Sequence, residues 1–73
     1  MPTISFDIPD LDDHEVIDLS NALTALSGVA GVDVNTSRHT VRVEYDSSYA
    51  HPALIRANIV GAGYRVEGKG TDV

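Results

Sequence analysis

Val32-Asp33-Val34-Asn35-Thr36-Ser37-Arg38-His39-Thr40-Val41-Arg42-Val43-Glu44-Tyr45 is the run that decides the architecture. Val32 and Val34 open one alternation, and Val41, Val43 and Tyr45 make another. A period of two sets one face of a strand against a core. Asn35-Thr36-Ser37-Arg38 between them is turn chemistry, because short polar side chains can bond their own backbone. The run is a β-hairpin, with strands over about residues 29–36 and 39–46.

Helical patterns flank the hairpin. Upstream, Val16, Leu19, Leu23 and Leu26 recur at helical spacing, with Ala22 and Ala25 nearby. They predict an amphipathic helix over about residues 13–27. Asp12 or Asp13 can cap it, and Asp12 with Glu15 has the capping-box spacing. Gly28 stands just past the end, where a left-handed residue is favoured. Downstream, Asp46-Ser47-Ser48 breaks the strand and Pro52 suits a first helical turn. Leu54, Ile55 and Ile59 give this second helix an apolar face, and Gly61-Ala62-Gly63 stops it. Outside the helices lie two more strands. Ile4, Phe6 and Ile8 alternate with Ser5 and Asp7 over about residues 2–8, ended by Pro9. Tyr64 and Val66 predict a short last strand, and residues 68–73 read as a frayed, flexible tail after a domain over 1–67. Tyr45 and Tyr49 are expected to cap core edges. The order strand, helix, strand, strand, helix, strand gives an α+β fold: a ferredoxin-like βαββαβ sandwich, a four-stranded antiparallel sheet with both helices on one face.

Composition narrows the function. A chain of 73 residues supports one small domain. It has no cysteine, hence no disulfide, no thiolate metal ligand and no cysteine nucleophile. The net charge of −6 argues against nucleic acid and against an anionic membrane surface. A cation or a basic partner is electrostatically welcome. No apolar run has the length of a membrane span, and Met1-Pro2-Thr3 does not open a signal peptide, so a soluble cytoplasmic protein or soluble fragment is expected. No phosphate-cradling glycine loop or Ser-His-Asp spacing is present, so an enzyme is not expected. Arg38, Arg42, Arg56, Arg65 and Lys69 are scattered and read as a solvated face.

Asp10-Leu11-Asp12-Asp13-His14-Glu15 concentrates four carboxylates and one imidazole between the first strand and the first helix. One reading is a cluster of metal-capable side chains. The other is the acidic start of a helix, where free N–H groups and the macrodipole favour negative charge.

The second half carries a family resemblance. Gly28-Val29 after a Leu-rich helix, Val41-Arg42-Val43-Glu44-Tyr45-Asp46, His51-Pro52 before Ile55, and Ile59 through Gly63-Tyr64 stand in joint spacing over about residues 3–67. In these the chain resembles the heavy-metal-associated domain family: small copper and zinc chaperones, and N-terminal modules of metal-transporting P-type ATPases. The resemblance implies the same βαββαβ fold and a metal loop after the first strand. The family holds its ion there through Cys-x-x-Cys after Gly-Met. Counting back from Gly28, Asp12 and Glu15 fall on the two cysteine positions and His14 on the residue before the second. Counting forward from the first strand gives a loop about one residue longer than usual.

On this resemblance Asp12, His14 and Glu15 are the candidate metal ligands, with Asp10 and Asp13 as further candidates. Carboxylate and imidazole suit Zn(II), Co(II), Ni(II) or Mn(II); Cu(I), a soft ion, is not expected without cysteine. Tyr64 would stand beside the loop, supporting a metal ligand from behind or contacting a partner. His51, near the start of the second helix, and His39, near the hairpin turn, are not expected to join the loop. Two functions follow. The first is a metal-binding or metal-trafficking domain with a non-thiol site, a chaperone or regulatory domain partnered with a metal-transporting P-type ATPase. The second is a domain that has lost its metal and serves as a protein–protein docking module.

Overall fold

A computed structural model describes all 73 residues. The elements run β1 (Thr3–Asp7), a 3-10 turn (Asp13–Glu15), α1 (Val16–Thr24), β2 (Val29–Asn35), β3 (Thr40–Tyr45), α2 (Pro52–Gly61) and β4 (Glu67–Asp72). The four strands form one sheet in the order β2-β3-β1-β4, every neighbouring pair antiparallel. This is the expected ferredoxin-like arrangement.

Alternation explains the layering. Ile4, Phe6 and Ile8 from the first strand and its end, and Val41, Val43 and Tyr45 of β3, are all buried. Their neighbours Asp7, Arg42 and Glu44 are exposed. The buried face meets Leu19 and Leu23 of α1 and Ile55 and Ile59 of α2 in a single core, closed at its ends by Leu11 and Ala50. Both helices therefore share one face of the sheet. No helix is long and apolar enough to cross a membrane.

Two glycines let the backbone come close. Gly28, at φ +92°, ends the α1 connection, and a Cβ there would stand 2.8 Å from the Tyr49 Cβ. Gly70, at φ +93°, lies over the core, where a Cβ would meet Phe6 Cε1 at 2.7 Å and Ile4 Cδ1 at 2.8 Å.

The structure differs from the sequence reading in four places. The last strand is Glu67–Asp72 rather than Tyr64–Val66, so the residues expected to fray are paired with β1 through Ile4↔Asp72, Ser5↔Thr71 and Asp7↔Glu67. Backbone hydrogen bonding, not apolar alternation, makes this strand; the Val73 N–H continues it by donating to the Thr3 carbonyl at 3.0 Å. Tyr64 and Val66 instead pack against the core edge. Helix α1 is shorter at both ends than expected, its start replaced by the 3-10 turn. Leu54 and Tyr49 are exposed, at 39% and 71%. Ile55 and Ile59 alone fill the buried side of α2, and Tyr49 lies in the turn leading to it.

Candidate functional site

The loop after β1 is pinned before it is polar. The Leu11 N–H donates to the Ile8 carbonyl at 3.0 Å, and the Leu11 side chain is only 4% exposed. With Leu11 plugged into the core, its acidic neighbours face water. Asp10 reaches Arg65 across 4.0 Å, both side chains largely exposed; such a surface pair contributes about 0–1 kcal/mol.

Asp12 is extended, at φ −131° and ψ 150°, and its Oδ1 accepts from the His14 N–H at 2.9 Å. The Glu15 N–H donates to the Asp12 carbonyl at 3.0 Å, closing the 3-10 turn. This satisfies one orphan donor of a helix start. The capping box suggested by the spacing is only half formed. Asp12 caps His14 rather than Glu15, and Glu15 makes no side-chain cap of its own.

The candidate ligands then diverge. Asp13 and His14 are exposed and Glu15 is half-buried. Glu15 stands on the side of Tyr64. Loss of hydration raises the Tyr64 phenol above its ordinary value, and the negative charges of Glu15 and Asp18 and a hydrogen bond to Glu15 raise it further. Tyr64 thus lies within reach of the charges of Glu15 and Asp18. On the other side, Asp10, Asp12 and Asp13 line an open groove with Thr36, Ser37 and His39 of the hairpin turn.

His39 was not expected at this end of the sheet, and the structure corrects that. Antiparallel pairing of β1 with β3 sets Asp7 opposite Thr40, and the Ile8 N–H donates to the His39 carbonyl at 2.7 Å. The residues just before β3 must therefore sit beside those just after β1. The β1–β3 register fixes this placement, because the hairpin turn continues directly into β3. His51 precedes α2 beyond the far end of β3 and stays away from the loop.

The donors suit a borderline divalent ion in kind but not in placement. No three of the His, Asp and Glu side chains are grouped so as to hold a metal ion. Asp12 is engaged by the backbone and Asp10 by Arg65, while Glu15 lies near Tyr64 on the other side. What the arrangement offers unaided is a strongly negative, solvated pole with one basic residue, Arg65, close to it.

Comparison with known proteins agrees with the frame. Residues 5–65 match the model of the heavy-metal-associated domain. Among solved structures, a CopZ metallochaperone superposes with a TM-score of 0.83 at 26% identity, over 89% of this chain and 98% of that one. The N-terminal domain of a potential copper-translocating P-type ATPase from Bacillus subtilis, in its Cu(I)-loaded state, gives 0.85 at 26% identity, over 99% and 90%. The N-terminal domain of ZntA in its Zn(II) form gives 0.78 at 22% identity, over 90% and 89%, a likeness of fold alone. No curated protein sequence matches significantly. With most of its length matched and the βαββαβ frame complete, the chain belongs to the heavy-metal-associated domain family, a family of small metal-binding or metal-trafficking domains.

Proposed function

We propose that this domain serves metal trafficking as a docking module, presenting the pole Asp10–Glu15 to a basic surface on a metal-handling protein such as a metal-transporting P-type ATPase or a chaperone. One observation carries the reading: the family frame is intact while the loop has no thiol and no three of its carboxylates and imidazole are grouped so as to hold an ion. Exposed like charges on a pinned loop suit long-range steering of a basic partner, which speeds association and weakens as salt screens it over about 10 Å at 0.1 M.

A second reading has a specific feature in its favour. Asp12, His14 and Glu15 lie on one 3-10 turn and its cap, and the His14 side chain makes no hydrogen bond. Rotation of these side chains, with a further ligand from the partner, would assemble a site for Zn(II), Co(II) or Ni(II) during transfer. Titration of the isolated domain with Zn(II), Co(II), Ni(II) and Cu(I), followed by amide NMR, separates the two. Saturable shifts at residues 10–16 below about 1 mM, weakened by His14→Ala, establish the second reading and overturn the first. Silence there, with partner capture that ignores chelators and falls with salt, establishes the first.

A further inference from the structure

The sheet has two open edges, β2 and β4, and they are unlike. The β4 edge is guarded. Gly68 and Gly70 hold positive φ, +73° and +93°, with Lys69 between them, and the Gly68 carbonyl accepts from Arg56 Nε at 2.9 Å. Irregular backbone and a lysine are among the features that keep added strands off an edge. The β2 edge has no such guard. It runs seven residues, Val29–Asn35, without Pro, Lys or Arg. Its one irregularity, between Val29 and Gly31, leaves residues 32–35 in regular register.

That register says which backbone groups are free. The Ile8 N–H donates to the His39 carbonyl and the Tyr45 N–H to the Pro2 carbonyl, so the odd-numbered residues of β3 bond to β1. Thr40, Arg42 and Glu44 therefore bond to β2, where they meet Asn35, Asp33 and Gly31. Val32 and Val34 are left with their N–H and C=O groups aimed away from the sheet, two donors and two acceptors in a row. Their side chains lie on the core side, half-buried beside Leu26 and Val29. The opposite face carries the exposed carboxylates of Asp33 and Glu44. Only Gly31 separates Glu44 from the edge; a Cβ there would stand 3.9 Å from the Glu44 Cβ, so the missing side chain leaves Glu44 open. Together with Thr3 these residues line a shallow hollow. Arg42 lies between the two carboxylates and forms no ion pair with either.

These features specify an occupant. Free N–H and C=O groups spaced along a strand are completed by another strand. Pleating sends the alternate side chains of that strand to the two faces. On the core side they must be apolar to cover Val32 and Val34, and on the outer side cationic to meet Asp33 and reach Glu44. We propose that the β2 edge receives an extended segment of a partner protein in which apolar residues alternate with Lys or Arg. A second copy of this chain is a poor match. It brings a net charge of −6, and the register that bonds all four free groups, Val32 to the copy's Val34, sets the two Asp33 side chains against each other. Nothing in this inference depends on the loop Asp10–Glu15.

The probe is a capped peptide of alternating valine and lysine, added to the whole chain in a chelator and followed by amide NMR and hydrogen exchange. Saturable shifts centred on residues 31–35, with exchange of the Val32 and Val34 amides slowed about tenfold or more, support the proposal. The same peptide N-methylated at alternate residues keeps its charge and loses its strand bonds, and should bind about tenfold more weakly or worse. A valine–glutamate peptide should be as poor. D33K changes an exposed position and should shrink the preference for lysine over glutamate about tenfold or more. Absence of shifts at residues 31–35, shifts confined to residues 10–18, equal binding of the N-methylated peptide, an unchanged preference in D33K, or self-association through the same amides without peptide each overturn it.

Discussion

Gly70→Ala tests the least obvious part of the fold, the glycine-containing strand β4. Two costs add at this position. Gly70 sits at φ +93°, where a residue with a Cβ is strained by about 1–2 kcal/mol. The new Cβ would also stand 2.7 Å from Phe6 Cε1, 2.8 Å from Ile4 Cδ1 and 3.0 Å from Ile4 Cγ1. Phe6 is fully buried and Ile4 nearly so. Neither can swing into solvent, so the clash is relieved by repacking at about 1–3 kcal/mol. Gly68→Ala is the matched control, because Gly68 also has a positive φ, +73°, with nothing within 4 Å of its Cβ position. It carries the backbone cost alone. At about 0.05–0.15 kcal/mol per residue, the domain has roughly 4–11 kcal/mol to lose. Urea unfolding followed by circular dichroism should therefore place G70A below G68A by about 1–3 kcal/mol, and G68A below the parent by about 1–2 kcal/mol. Equal stability of the two variants would show that Gly70 does not lie against Phe6. Stability of both equal to the parent would mean that residues 67–72 do not form a strand at all.

Three other outcomes follow from the site. Leu11→Ala removes the side chain that pins the acidic loop and should cost about 2–4 kcal/mol in urea unfolding, with faster amide exchange at residues 10–15; retention of full stability would contradict its burial. Asp12→Ala removes the bond to the His14 N–H and should cost about 0.5–1 kcal/mol, with loss of exchange protection at that amide, whereas an unchanged His14 amide would mean that the cap does not form in solution. The Tyr64 phenol, followed by its ultraviolet absorbance, should titrate above the usual 10.0, and Glu15→Gln should bring it back toward that value by removing one of the charges that raise it. Because its folded-state value lies above the unfolded one, its contribution to stability is complete below about pH 10 and is lost as pH rises through the folded value.

The hairpin and the order of elements were legible because alternation at Val41, Val43 and Tyr45 and four-residue spacing at Leu19 and Leu23 are direct consequences of burial on one face. Strand β4 was not legible, because Glu67-Gly68-Lys69-Gly70-Thr71-Asp72 has no apolar residue to alternate. It is held by β1 as a template, and its glycines record a close approach that only the tertiary structure reveals. Leu54 misled for a related reason. Three apolar residues near one another in a helix suggest a common face, but Leu54 lies far round the helix from Ile59, and the neighbours that would have exposed the error, Ala53 and Ala57, are themselves apolar. At the loop, residue types pointed to metal chemistry while their directions did not follow from spacing. Asp12 turns to the backbone, Glu15 to Tyr64 and Asp13 to the groove beside His39.

Those directions also say what would restore a metal centre. Asp12 and Glu15 flank the single 3-10 turn, joined by the 3.0 Å bond from the Glu15 N–H to the Asp12 carbonyl. A carboxylate oxygen there competes with backbone N–H groups and a phenol for which it is the natural acceptor. A thiolate is a poorer hydrogen-bond acceptor and a far better ligand for soft and borderline ions. D12C/E15C should therefore free both positions from the cap and from Tyr64, and should bind Co(II) with the thiolate charge-transfer absorption of a tetrahedral site and release protons on binding. The helix start loses its cap in exchange, so the metal-free variant should be less stable than the parent by about 0.5–2 kcal/mol and regain stability when the ion is added. If D12C/E15C binds no Co(II) while L11C/H14C does, the family's ligand positions lie one residue earlier than counting from Gly28 implies. If neither binds, the turn geometry has moved away from metal holding altogether, and the loop is a docking surface whatever residues it carries.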